Sequence, residues 1–113
     1  MKLIGSATEK EIREALISSA SYIFGNLTII VFLEKMLGAL SSVYVLGHTP
    51  DQGEDFYVVL VNGSVIARFE VSRVGNAEPK SFTTTSVHEY RKALRGRRSQ
   101  LKLAIAVALA TGK

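Results

Sequence analysis

The chain has no cysteine and no tryptophan, and only two prolines and two histidines in 113 residues. Without cysteine there is no disulfide scaffold and no thiolate metal site, and the composition suits a reducing compartment. His48 and His88 have no metal-ligand spacing, and no phosphate-binding glycine motif or nucleophile triad can be assembled from the residues present. The longest apolar runs, residues 27–33 and 103–110, are too short to span a bilayer. Residues 1–5 lead straight into a charged helix start, with no secretory signal. A cytoplasmic protein without a membrane partner is the expectation. There is no internal repeat, low-complexity tract or linker.

What is present is a hydrophobic share of 47%, enough for a real core in one domain spanning residues 1–113. The charge is uneven. Residues 86–113 carry seven basic side chains against Glu89 alone, whereas residues 1–85 carry seven basic and nine acidic. A basic C-terminal end on a slightly acidic body attracts nucleic acid or an acidic partner.

Thr8 and Glu11 fit a capping box, and Ile12, Ala15, Leu16, Ser19 and Ile23 follow helical rhythm as far as a stop at Gly25-Asn26. Residues 27–33 have strand composition. Over a longer window, however, Ile29, Phe32, Leu33, Met36, Leu37 and Leu40 keep helical spacing, which predicts a helix over 27–40 capped by Asn26 and buried on two sides. Residues 42–48 read as a strand, with Val43, Val45 and Gly47 alternating with Tyr44, Leu46 and His48. Residues 49–53 are dense in turn formers. Residues 74–85 read as a polar loop. Ser86 and Glu89 make a second capping box, and Val87, Tyr90, Leu94, Leu101, Ile105 and Ala108 keep phase across Gly96. One long helix with a weak point at Gly96 is expected; two helices broken there is the alternative. The fold class is therefore α+β: N-terminal helices, a three-stranded antiparallel meander, and a long C-terminal helix packed on the sheet.

The centre of that meander is a hairpin over residues 53–73 around Asn62-Gly63, the strongest short hairpin signal, since both central residues of a type I′ turn need positive φ. With a two-residue loop, Val61 pairs with Ser64, Val59 with Ile66, Tyr57 with Arg68 and Asp55 with Glu70. One face then carries Phe56, Val58, Leu60, Val65, Ala67, Phe69 and Val71. The other grades from apolar at the turn to polar at the open end, which predicts partial cover and a polar cleft. Opposed carboxylates lie roughly 5 Å apart at Cβ and repel. A divalent cation between Asp55 and Glu70 would resolve this and serve as the metal of a phosphodiesterase. A surface salt bridge from Arg68 to Glu70 is the plainer alternative.

The order of helix, three-stranded meander and helix resembles the core of the PD-(D/E)XK nuclease superfamily, over roughly residues 43–110. The matching residues are Pro50-Asp51 or Gly53-Glu54-Asp55 entering the second strand, Asn62-Gly63 at the turn, and Phe69-Glu70-Val71-Ser72-Arg73 ending the third. The resemblance implies Asp55 and Glu70 as catalytic metal ligands, with Mg or Mn as cofactor. It departs where the family places a lysine, a position held here by Ser72. Lys80 or Lys92 would have to replace that lysine from elsewhere. A second departure is the extra helix over 27–40.

Arg91, Arg95, Arg98 and Lys102 recur at i+3/i+4 and would line one helical face able to straddle phosphates of DNA or RNA. A solvated, solubilising face is the plainer alternative. His48 lies within reach of Asp51 or Asp55, and His88 is given no role. Residues 103–110 are apolar all round and predict a two-fold homodimer. Three functions follow: nucleic-acid binding on a nuclease-like scaffold without the motif lysine; a non-enzymatic homodimeric interaction domain; and a small-ligand domain with a pocket at Tyr44, Tyr57 and Phe82.

Overall fold

In a computed structural model, which describes residues 7–75 and 77–112, four helices surround one four-stranded sheet. The elements are α1 (Ala7–Phe24), α2 (Leu27–Leu37), β1 (Val43–Asp51), β2 (Glu54–Val61), β3 (Val65–Ser72), β4 (Lys80–Ser86), α3 (Val87–Ala93) and α4 (Arg97–Thr111). The strands form an antiparallel meander in the order β1-β2-β3-β4. The fold is α+β as expected, but with four strands rather than three, and with the C-terminal helix in two pieces. The 1–5 lead and Asn76 lie outside the described residues.

Several local signals act as read. Asn26 caps α2 by accepting from the Ile29 amide at 3.2 Å, and Ser86 caps α3 by accepting from the Glu89 amide at 3.1 Å. The first helix already includes Thr8, so that residue sits inside it rather than at its cap. The second helix stops at Leu37, where Gly38 takes φ +87°. It is buried on one side only: Ile29, Phe32 and Leu33 are covered while Leu27 and Val31 stay open. The 49–53 turn shrinks to Gln52-Gly53 because β1 continues through Pro50, which an edge strand tolerates. The supposed loop over 74–85 contains β4. Its run of threonines pairs with β3 as the other edge strand, and β-branched threonine fits a pleated, half-exposed surface despite its polarity.

The hairpin register is the main correction. Asn62, Gly63 and Ser64 form a three-residue loop, so Val61 pairs with Val65 and not with Ser64. Every pair below is displaced by one: Leu60 faces Ile66, Tyr57 faces Phe69, Phe56 faces Glu70 and Asp55 faces Val71. A one-residue slip sends every side chain of a strand to the other face. Asp55 and Glu70 therefore project from opposite faces of the sheet.

Both faces are covered. Tyr57, Val59, Val61, Ala67 and Phe69 pack with Val43 under Ile23 of α1 and Ile29, Phe32 and Leu33 of α2. Leu60 and Ile66, with Val58 and Tyr44 beside them, pack under Ile12 and Leu16 of α1 and Leu103, Ile105 and Ala106 of α4. Helix α1 thus bridges both layers along the β1 edge, where the Ser19 hydroxyl accepts from the Val45 amide at 3.0 Å. A bulge at Leu46 shifts the register of β1 between Val45 and Gly47. Beyond it, His48 pairs with Tyr57 and joins the face of Val43 and Val45, not that of Tyr44 and Leu46.

Candidate nucleic-acid interface

The open end of the sheet, away from the Asn62 loop, carries two polar clusters, one on each face. On the α2 face, His48 Nε2 lies 2.8 Å from Asp55 Oδ1, and Arg73 Nε lies 3.3 Å from the same oxygen. Of the two partners the sequence leaves open for His48, Asp51 and Asp55, the structure has Asp55; Arg73 was not foreseen. Hydrogen bonding from His48, then the charge of Arg73, holds the Asp55 carboxyl below its ordinary range. The His48 ring stacks on Tyr57 at 4.6 Å, and Tyr57 stacks on Phe69 at 5.7 Å. Burial, then a hydrogen bond with Tyr22, pushes the Tyr57 phenol far above its usual value. His48, Asp55 and Tyr57 line an open cleft of about 470 Å³ that Ser18, Ser19 and Tyr22 of α1 complete. Ser19 is not available as a nucleophile there, since its hydroxyl donates to the Leu16 carbonyl and accepts from Val45. The aromatic pocket expected at Tyr44, Tyr57 and Phe82 is not assembled: Tyr44 belongs to the opposite layer, and Phe82 packs edge-on against Phe32 at 5.3 Å.

On the α4 face, Glu70 stands directly across from Phe56, and Lys80 directly across from Glu70. Lys80 Nζ bridges to Glu54 at 2.5 Å. That contact lowers the Glu54 carboxyl, and Glu54 in turn raises the Lys80 ammonium. Among the described residues, no salt bridge joins Glu70 to Arg68. The Arg68 guanidinium lies over the Tyr90 ring instead, 5.7 Å from its centroid. The positions considered for a replacement lysine are both engaged with acidic side chains, Lys80 with Glu54 and Lys92 with Glu89 at 3.9 Å.

The carboxylate pair implied by the nuclease resemblance thus does not converge. Asp55 is held by His48 and Arg73 on one face, and Glu70 stands across from Lys80 on the other. A Mg or Mn ion needs oxygen ligands gathered around one point, and the two do not provide it. Among the described residues, no group of three or more His, Asp and Glu side chains has a metal-holding arrangement.

The basic segment is organised differently from the expected stripe. Gly96, at φ +84°, turns the chain between α3 and α4, so Arg91 lies before the bend and Arg98 and Lys102 after it. Arg91, Arg95, Arg97 and Arg98 are all exposed around this elbow. Among the described residues, none of the four has a carboxylate within salt-bridge distance, while Lys92 is engaged by Glu89. Lys102 is half-buried beside Tyr90 and Leu103, and burial, then Arg98, lowers its ammonium. Arg97, passed over in the i+3/i+4 count, takes its place on the open surface. The first turn of α4 contains no acidic residue and no side-chain cap, and Arg97 and Arg98 stand in it. Cations there oppose the helix dipole, each at a cost of about 0.3–1 kcal/mol. An anion placed at the elbow would satisfy both the free amides and the arginines.

No family model, no curated protein and no solved structure matches this chain.

Proposed function

We propose that the domain binds nucleic acid through the α3–α4 elbow, by contacts to phosphate. The observation that carries this reading is the unpaired quartet Arg91, Arg95, Arg97 and Arg98, two of whose members crowd the uncapped N-terminus of α4. An arrangement that costs stability in the free protein is explained by an anion that relieves it. The likeness to a nuclease scaffold enters this reading only as an order of elements. Without a convergent carboxylate pair, binding rather than metal-dependent cleavage is the activity the geometry supports.

Fluorescence anisotropy with labelled duplex and single-stranded oligonucleotides tests it. Four phosphate contacts on duplex give a slope near −3.6 in log affinity against log salt, so raising salt from about 50 to 200 mM weakens binding roughly 150-fold. Replacing Arg95 and Arg97 together by alanine lowers the slope by about 2. Absence of binding at low salt, or a slope unchanged in the double variant, refutes the reading.

A second reading, a homodimer, has its own observation. The segment 103–110 no longer demands a partner, because Leu103, Ile105 and Ala106 are covered by α1 and the sheet. Phe24, Leu27 and Val31, by contrast, are 42%, 74% and 59% exposed along the α1–α2 corner. If a second copy pairs there, Leu27→Asp keeps the chain monomeric in sedimentation and leaves the salt slope of nucleic-acid binding untouched.

A further inference from the structure

Phe56 lies toward the open end of the α4 face, and it is 36% exposed. It forms the shared wall of two adjoining hollows. One, of about 330 Å³, is lined by Val58, Arg68, Tyr90, Ala93 and Leu94. The other, of about 280 Å³, is lined by Thr49, Asp51, Glu54 and Glu70. Together they make a trough with the Phe56 ring between its two halves. At one end stands the Arg68–Tyr90 stack, where α3 runs into the arginine elbow. At the other end are the carboxylates of Asp51, Glu54 and Glu70; Lys80 engages Glu54, and Glu70, directly opposite Phe56, has no salt bridge among the described residues and is the acceptor left over.

We infer that this trough takes an unpaired nucleobase bearing an exocyclic amino group, stacked on Phe56 and donating to Glu70, while its flanking phosphates lie against the elbow. The inference rests on the nucleic-acid reading above and names the substrate class of that surface: single-stranded, and richer in cytosine or other amino-bearing bases than in thymine or uracil. Three features of the trough point the same way. An open aromatic ring beside a cationic surface is the usual platform for single strands, since every base has a π face. Arg68, already laid over Tyr90, offers a second planar surface at the same hollow. Carboxylates beside a phosphate-binding surface repel the backbone but accept from base amines, so they suit the base end of a nucleotide and not its phosphate. A duplex keeps its bases stacked and cannot enter, so it reaches only the arginines.

The test compares oligo(dC), oligo(dT), oligo(rC) and a duplex at one salt concentration. The expected order is oligo(dC) or oligo(rC) above both oligo(dT) and duplex, and the tighter of the two cytosine strands tells DNA from RNA. Phe56→Ala is expected to weaken cytosine strands by roughly 5- to 150-fold, the worth of one stacked base, and to leave duplex binding and its salt slope unchanged. Duplex binding also reports that the variant is folded, and Phe56→Leu, which keeps an apolar side chain without the ring, gives the same separation if alanine unfolds the sheet edge. Glu70→Gln is expected to collapse the cytosine-to-thymine ratio toward one, because an amide both donates and accepts. Equal loss of single-strand and duplex binding in Phe56→Ala and Phe56→Leu, or a cytosine-to-thymine ratio near one in the unaltered protein, overturns the inference while salt-sensitive duplex binding still stands. Loss of all nucleic-acid binding by the unaltered protein overturns both.

Discussion

Asn62 does two separable things, and a short series of substitutions measures each. Its backbone sits at φ +54°, in the left-handed region. Its side chain reaches back to the segment that enters β1. Oδ1 accepts from the Ser41 amide at 2.6 Å, the Ser41 hydroxyl at 3.1 Å and the Ser42 amide at 3.3 Å. Nδ2 donates to the Ala39 carbonyl at 2.9 Å. The hairpin loop is thereby tied to the α2–β1 connection, so the side chain holds more than its own turn. Asparagine tolerates the left-handed region, whereas alanine there costs about 1–2 kcal/mol. The two best hydrogen bonds, to Ser41 and Ala39, contribute about 1 kcal/mol each net, and the remaining two less, because the site is open to water.

Asn62→Ala loses both contributions and is expected to cost about 3–4 kcal/mol in urea unfolding followed by circular dichroism. Asn62→Gly relieves the backbone but keeps none of the side-chain bonds. It is expected to cost about 2 kcal/mol, plus about 0.4–1 kcal/mol for the freer unfolded chain. The gap between the two variants reports the φ term less about 0.4–1 kcal/mol of glycine's unfolded-chain entropy, and the gap between glycine and the parent reports the clamp plus that same amount. If Asn62→Gly is as stable as the parent, the clamp contributes nothing and the residue serves the turn alone. If glycine costs more than alanine by the full amount of its unfolded-chain entropy, about 0.4–1 kcal/mol, no φ term is left and the backbone argument fails.

Three further expectations concern charge and close approach. Asp55 has its carboxyl lowered in the folded state by His48 and Arg73, so its contribution is complete above the ordinary carboxylate range and is lost as pH falls through the depressed folded value; Asp55→Asn should flatten that acid limb of stability against pH by under about 1 kcal/mol, the pair being open to solvent. Arg98→Glu should stabilise the protein by about 0.3–1 kcal/mol, through the α4 dipole and a new i,i+4 pair with Lys102, while weakening nucleic-acid binding; a stability loss would remove the argument that the elbow is strained without an anion. Gly63 takes φ +72°, and an added Cβ would lie 3.2 Å from the Ala110 Cβ, so Gly63→Ala should lower the urea midpoint by a cost of about 1–2 kcal/mol and loosen the end of α4 in hydrogen exchange.

How much of this molecule could be read from its sequence depended on whether a feature needed strand register. The helix caps at Asn26 and Ser86 are local, a side-chain oxygen meeting an amide three residues on, and they are present as read. The strands β2 and β3 were found as well. Their faces were not, because two events of one residue each decide them: Ser64 joins the hairpin loop, and Leu46 bulges out of β1. Alternation of apolar and polar residues normally fixes register. Here both faces of the sheet are covered by helices, so Val58, Leu60 and Ile66 look as suitable for burial as Val59, Val61 and Phe69, and the pattern does not discriminate. The consequence falls on the site. The slip parts Asp55 from Glu70, gives Glu70 the neighbour Phe56, and with the bulge places His48 where it meets Asp55 over Tyr57. The excess of positive charge after residue 86 needs no register at all, since a run of arginines stays a run whichever face each strand presents. Its arrangement still required the structure, because only the turn at Gly96 shows that Arg97 and Arg98 begin a helix rather than continue one. A stripe along one helix would be the ordinary solvated face. The same charges gathered at a helix N-terminus, where the dipole works against them, require another explanation, and an anionic ligand supplies one.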